Sequence, residues 1–94
     1  MLGSVITTEQ VMKIRVLFFS ILRDLVGANE LEELLPAGRE WRVEDLLERL
    51  YAEHEGLRDW DGKILVALDM EYVDRHQVLS DGQEIAIMPP VQGG

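Results

Sequence analysis

VEDLLERLYAEH, running from Val43 to His54, is the stretch whose periodicity organises the rest of the chain. Val43, Leu46, Leu47, Leu50 and Tyr51 recur at i, i+3, i+4, i+7 and i+8, the single apolar stripe of an amphipathic helix. Glu44 and Asp45 stand in its first turn, where the helix dipole favours negative charge, and Gly56 marks its end. A helix with one apolar stripe needs one apolar surface to cover, and the flanking sequence supplies it as strands. Upstream, Lys13 to Phe19 (KIRVLFF) is β-branched and aromatic, with Ile14, Val16 and Phe18 on one face and Arg15, Leu17 and Phe19 on the other. Ser20 is placed to cap a short helix from Ile21 to Val26, which Gly27 ends in the left-handed conformation. Asn29 to Leu35 reads as a strand whose acids suit a solvent-facing edge, before a turn at Pro36, Ala37 and Gly38.

Downstream, Lys63 to Asp69 (KILVALD) is apolar on both faces, as a central strand would be. Asp81-Gly82, between Val78-Leu79 and Glu84 to Ile87, carries the signature of a two-residue hairpin loop with positive φ at both positions. The order is strand, short helix, strand, long helix, then about three strands, an α+β arrangement of one mixed sheet with one long helix across one face. If the first and last long strands are neighbours, the layout is a β-grasp, or ubiquitin-like, fold. The domain then spans residues 12–88, preceded by an extension over 1–11, expected to be flexible, and followed by an extended tail over 89–94. Met12 directly precedes the first strong strand, so an alternative start or an added segment would explain the extension.

Composition limits the function. A chain of 94 residues fits one domain with a modest core, and 47% hydrophobic residues suit a globular protein. The net charge is -9, with acids scattered along the chain, which disfavours nucleic acid and anionic membrane surfaces and favours partners with basic surfaces. No cysteine is present, so disulfides, Cys-ligated metals and a thiol nucleophile are excluded. No apolar run approaches the roughly 20 residues of a membrane span, and Met1 to Val11 lacks the layout of a secretion signal. The expected location is the cytoplasm. His54 on the helix stripe and His76 in a loop have no His or Cys partners nearby, so no metal site is expected. Glu30, Glu32 and Glu33 fit a solvated edge better than a catalytic group, and Trp41 and Trp60 read as packing residues flanking the long helix.

The chemistry points to the other end of the chain: Pro89, Pro90, Val91, Gln92, Gly93, Gly94. Two prolines stop a strand ladder, because neither has an N–H, and favour extended geometry. Fully extended, such a six-residue tail reaches roughly 20 Å. Glycines without Cβ atoms let the backbone enter a channel too narrow for side chains. What the tail delivers is the Gly94 carboxylate, which becomes reactive once adenylated with ATP and can then be converted to a thiocarboxylate, a sulfur nucleophile. An absence of internal thiols suits that chemistry.

From Met12 onward the chain resembles the small, sulfur-carrier subunit of molybdopterin synthase. The resemblance rests on KIRVLFFSILRDLVG (Lys13 to Gly27), VEDLLERL (Val43 to Leu50), the KILVALD strand and LSDGQEIAIMPPVQGG (Leu79 to Gly94). It implies a β-grasp fold and a non-catalytic chain with no bound cofactor. It further implies an E1-like enzyme that adenylates Gly94 with ATP, a sulfurtransferase that forms the thiocarboxylate, and insertion of the tail into the large subunit. There sulfur passes to cyclic pyranopterin monophosphate to build the dithiolene of molybdopterin, in a heterotetramer with two copies of each subunit. Strand alternation places Leu17, Phe19, Ala86 and Met88 away from the helix as apolar docking surface, and the family's docking face falls on positions matching Phe19, Tyr72 and Met88. The outer aromatics would lose that role if the short helix from Ile21 to Leu25 covered them. Other readings of the same tail are a carrier for tRNA thiolation, cysteine or thiamine thiazole, and a ubiquitin-like modifier captured by lysine amines. A non-covalent binding module would not need Gly93-Gly94 at all.

Overall fold

The computed structural model describes residues 11–90 of the chain. Its elements are β1 (Val11–Phe18), α1 (Ile21–Val26), β2 (Glu30–Pro36), α2 (Val43–Glu53), a 3-10 helix (Leu57–Trp60), β3 (Leu65–Leu68), β4 (Glu71–Tyr72) and β5 (Glu84–Met88). The strands form one sheet in the order β2-β1-β5-β3-β4. β1 and β5, the first and last strands, run parallel side by side, and the other pairings are antiparallel. That neighbour relation makes the fold a β-grasp.

Alternation sends Ile14, Val16 and Phe18 of β1, Val66 and Leu68 of β3, and Ile85 and Ile87 of β5 to one face. There they form a single core with Val43, Leu46, Leu47, Leu50 and Tyr51 of α2. Every residue of the helix stripe named above is buried. Trp41 completes the core beside α2 and donates its indole N–H to the Pro36 carbonyl at 2.8 Å, so its one polar atom is satisfied. Trp60 packs against the same core, half-buried.

Several local features differ from the sequence reading, each for a physical reason. β1 opens at Val11, which pairs with Pro36 and so belongs to the sheet and not to the preceding extension; residues 1–10 lie outside the described residues. Ser20 stands at the start of α1 at φ 58°, and among the described residues its hydroxyl caps no N–H. Its carbonyl instead accepts from the Arg23 and Asp24 amides at 3.0 and 3.3 Å. Gly27 closes α1 as expected, at φ 86°, with its N–H donated to the Arg23 carbonyl at 2.8 Å. α2 ends at Glu53, and Asp45 accepts the Arg42 amide at 2.8 Å, one of the donors a helix start leaves free. β3 is shorter than expected, and the middle of the sheet belongs to β5, with β3 lying between β5 and the two-residue β4.

The Asp81-Gly82 hairpin does not form. Val78 makes an isolated bridge with Arg42, and the Leu79 amide bonds the Trp41 carbonyl, so this segment pairs with the approach to α2. Asp81-Gly82 is still a turn, with Gly82 at φ 85°, but it docks on β1: Asp81 Oδ1 accepts the Lys13 amide at 2.7 Å, and the Gly82 amide donates to the Lys13 carbonyl at 2.8 Å. The two-residue hairpin loop with both φ positive is Asp69-Met70, between Leu68 and its partner Glu71.

β2 is an edge strand, but its acids are not all solvated. Glu30 and Glu32 face outward, whereas Glu33 is only 7% exposed. It accepts from Arg49 Nε of α2 at 3.0 Å, and the same guanidinium reaches the Leu34 carbonyl at 3.1 Å and Glu53 at 3.5 Å. Burial first, and then the Glu53 carboxyl beside it, raise the Glu33 pKa above its ordinary value despite Arg49. A carboxyl whose folded pKa is raised contributes stability that is fully present below the unfolded pKa and is lost as pH rises through the folded one. Glu33→Gln, which mimics the neutral form, is therefore expected to melt higher than the parent at pH 7 and together with it near pH 4, in thermal unfolding followed by circular dichroism. A variant less stable than the parent at pH 7 would show that the Arg49 ion pair outweighs the burial of charge.

Candidate functional site

The face of the sheet turned away from α2 is built by the residues that alternate with the core residues along each strand. Cross-strand register aligns Leu17 with Ala86, Ala86 with Ala67, and Ala67 with Tyr72, a continuous row over β1, β5, β3 and β4. One step along, Met88 pairs with Leu65. The Phe19 amide bonds the Ile87 carbonyl at 3.3 Å, which keeps Phe19 at the same end of the sheet as Met88. Phe19 is 45% exposed and Tyr72 70% exposed, so α1 does not cover the aromatic positions. The structure thus brings Leu17, Tyr72, Ala86 and Met88 to one face, with Phe19 at its end. It adds Leu65 and Ala67, which the sequence reading missed because a strand apolar on both sides does not say which side meets the helix.

Carboxylates border this face. Glu84 and Glu30 approach Arg15 at 2.8 and 3.6 Å, and Glu32 is aligned with Arg15 on the same face, whereas Glu71, the partner of Leu68, falls on the α2 side of the sheet. An apolar centre with a charged rim is the usual anatomy of a protein-docking surface. On this rim three carboxylates, Glu30, Glu32 and Glu84, stand against two cations, Lys13 and Arg15, and the chain has 18 acids against 9 bases, so the complementary surface is basic.

The same end of the sheet is the root of the tail. β5 ends at Met88, where it lies beside the end of β1 through the Phe18–Ile87 pair, and half-buried Pro89 and Pro90 follow with no ladder pairing. Val91, Gln92, Gly93 and Gly94 lie outside the described residues.

The polar clusters elsewhere serve the fold. Tyr51 donates to Asp61 Oδ1 at 2.6 Å, and Arg75 Nη1 donates to the same oxygen at 2.6 Å, tying α2, the 3-10 helix and the 73–83 loop together. The Tyr51 hydrogen bond, then Arg75, hold the Asp61 carboxyl below its ordinary pKa, while burial and then Asp61 push the Tyr51 hydroxyl up. His54 packs edge-on to Phe18 at 6.3 Å, and His76 lies 3.5 Å from Glu44 on the surface. Among the described residues no group of three or more His, Cys, Asp or Glu is placed to hold a metal ion, and no helix is long and apolar enough to cross a membrane.

Four similarities bear on this site. The model of the ThiS family matches residues 16–94, a span that includes Leu17, Phe19, Tyr72, Ala86 and Met88 and runs to Gly94. The molybdopterin synthase sulfur carrier subunit of Chlamydomonas reinhardtii is 38% identical over 85 residues, covering 88% of this chain and 100% of the relative. The subunit of the same name from Escherichia coli is 39% identical over 85 residues, covering 86% of this chain and 99% of its own. Among solved structures, the protein-protein complex of subunits 1 and 2 of molybdopterin-converting factor from Helicobacter pylori contains a chain that is 27% identical with a TM-score of 0.61, covering 88% of this chain and 100% of that one.

Proposed function

The chain belongs to the ThiS family, and from that premise we propose that it is the sulfur-carrier subunit of molybdopterin synthase. The observation that carries the reading is the coincidence of two features at one end of the sheet. The apolar docking face reaches Phe19 and Met88 at one end of the sheet, and the proline-led tail begins at Pro89. A partner that seats on the row is thereby positioned to receive the tail.

In this reading the Gly94 carboxylate is the working group. A carboxylate resists nucleophiles until its oxygen is made a leaving group, which adenylation by an E1-like partner with ATP accomplishes. A sulfurtransferase then delivers sulfide-level sulfur to the acyl carbon, the C–O bond to AMP breaks, AMP leaves with the electron pair, and the thiocarboxylate results. The chain supplies reach, a tail narrow enough to enter a channel, and the docking face, while the catalytic side chains that act on cyclic pyranopterin monophosphate belong to the large subunit. No side chain of this chain takes part in bond making. The assembly is a heterotetramer of two copies of each subunit, soluble in the cytoplasm, and the chain itself holds no cofactor.

The test is reconstitution. Thiocarboxylated chain mixed with the large subunit and cyclic pyranopterin monophosphate is expected to give the dithiolene product and return the chain to its carboxylate form. Failure to form product with a demonstrably active large subunit, together with lysine conjugates appearing in lysate with ATP, would replace this reading with that of a protein modifier.

A further inference from the structure

The Asp69-Met70 loop puts a large apolar residue where the backbone least favours one. Met70 sits at φ 74° and is 91% exposed, the most exposed large hydrophobic residue among those described. Positive φ crowds a Cβ, and a two-residue loop of this kind is ordinarily filled by Asn or Gly. The loop is also held firmly. Asp69 donates its amide to the Glu84 carbonyl at 2.8 Å, and its carboxylate accepts from the Glu84 amide at 3.1 Å and from Gln83 Nε2 at 3.2 Å. A strained backbone and a solvated thioether serve no purpose in the isolated fold, and strain that the surroundings hold in place is characteristic of functional positions.

We propose that Met70 is an anchor that extends the docking face beyond Tyr72, seating in an apolar socket of the synthase large subunit rimmed by Lys or Arg. This rests on the function proposed above. Two observations select that occupant. The loop continues the apolar row, since Tyr72 lies at the row's end two residues on. Exposed Asp69 and Glu71 stand on either side of Met70 in the loop, and carboxylates exceed cations on the rest of the face even with Glu84 and Glu30 paired to Arg15, so one partner with basic flanks fits both. A flexible, polarizable thioether suits such a socket. The tail root and Met70 lie at opposite ends of β5, so the two contacts would fix the partner's orientation as well as its affinity.

Because the residue opposes its own backbone, the test separates docking from folding. Met70→Gly converts the loop to Asp-Gly and is expected to raise the melting temperature by about 4 °C while weakening binding to the large subunit about tenfold, measured by calorimetric titration. Met70→Leu keeps an apolar anchor and is expected to bind as the parent does. Parent-like binding by Met70→Gly would overturn the inference, as would a tenfold loss in Met70→Leu. A parent chain that does not bind the large subunit would overturn the proposed function and this inference with it.

Discussion

Removal of Gly94 is expected to abolish sulfur transfer and leave the melting temperature unchanged. In the proposed mechanism the reacting carbon is the carboxyl carbon of that residue, so deletion draws the reactive group back by about 3.5 Å. Misplacement by about 1 Å can already cost a hundredfold in rate, so loss of a whole residue should remove measurable turnover. Gly94→Ala keeps the length but adds a Cβ where the channel is expected to admit only backbone, and a loss of at least about a hundredfold is expected. Neither change reaches the core, whose C-terminal member is Ile87. Two readouts check this: product formation with a sulfur-loaded activating system, and thermal unfolding of each variant beside the parent. Retained transfer, or a lowered melting temperature, would count against a tail that acts only as a delivery arm.

Phe19→Arg is the second large effect. The ring is nearly half exposed at the end of the proposed docking face and next to the tail root, so a partner that receives the tail is expected to cover it. Burying a Phe side chain is worth about 1.5–3 kcal/mol. Arg in its place forfeits that and sets a cation against the basic surface expected of the partner. A loss of affinity of about a hundredfold for the large subunit is expected, with the fold intact because Phe19 lies outside the core. Titration of the variant into the large subunit measures the first part and circular dichroism the second. Unchanged affinity would remove Phe19 from the interface and move the docking surface elsewhere on the sheet.

The contrast between these two residues and the rest of the site shows what the sequence carries. Stripe and alternation are local signals, so α2 and the inward face of β1 can be read before any strand is paired with another. Gly27 is similarly local, because a left-handed helix end suits a residue without Cβ. Pairing is not local. Asp81-Gly82 has the composition of a hairpin loop, but the residues before it are taken by Arg42 and Trp41, so the turn closes on Lys13 instead. Asp69-Met70 is a hairpin loop that composition hides, since the bonds from Asp69 to Gln83 and Glu84 hold a conformation that methionine disfavours. Glu33 looks like one more edge acid until Arg49, sixteen residues away on α2, is brought over it. The outer face shows the same division. Leu17 and Ala86 follow from alternation, while Ala67 and Leu65 join them only once β3 is set beside β5.

The most direct measurement is the intact mass of the chain after incubation with an E1-like activating enzyme, ATP and a sulfur donor, followed by fragmentation. The expected result is the mass increase of one oxygen replaced by sulfur, carried by the fragment that contains Gly94. An unchanged mass in the presence of an activating enzyme shown to be active, or a modification located anywhere else in the chain, would contradict it.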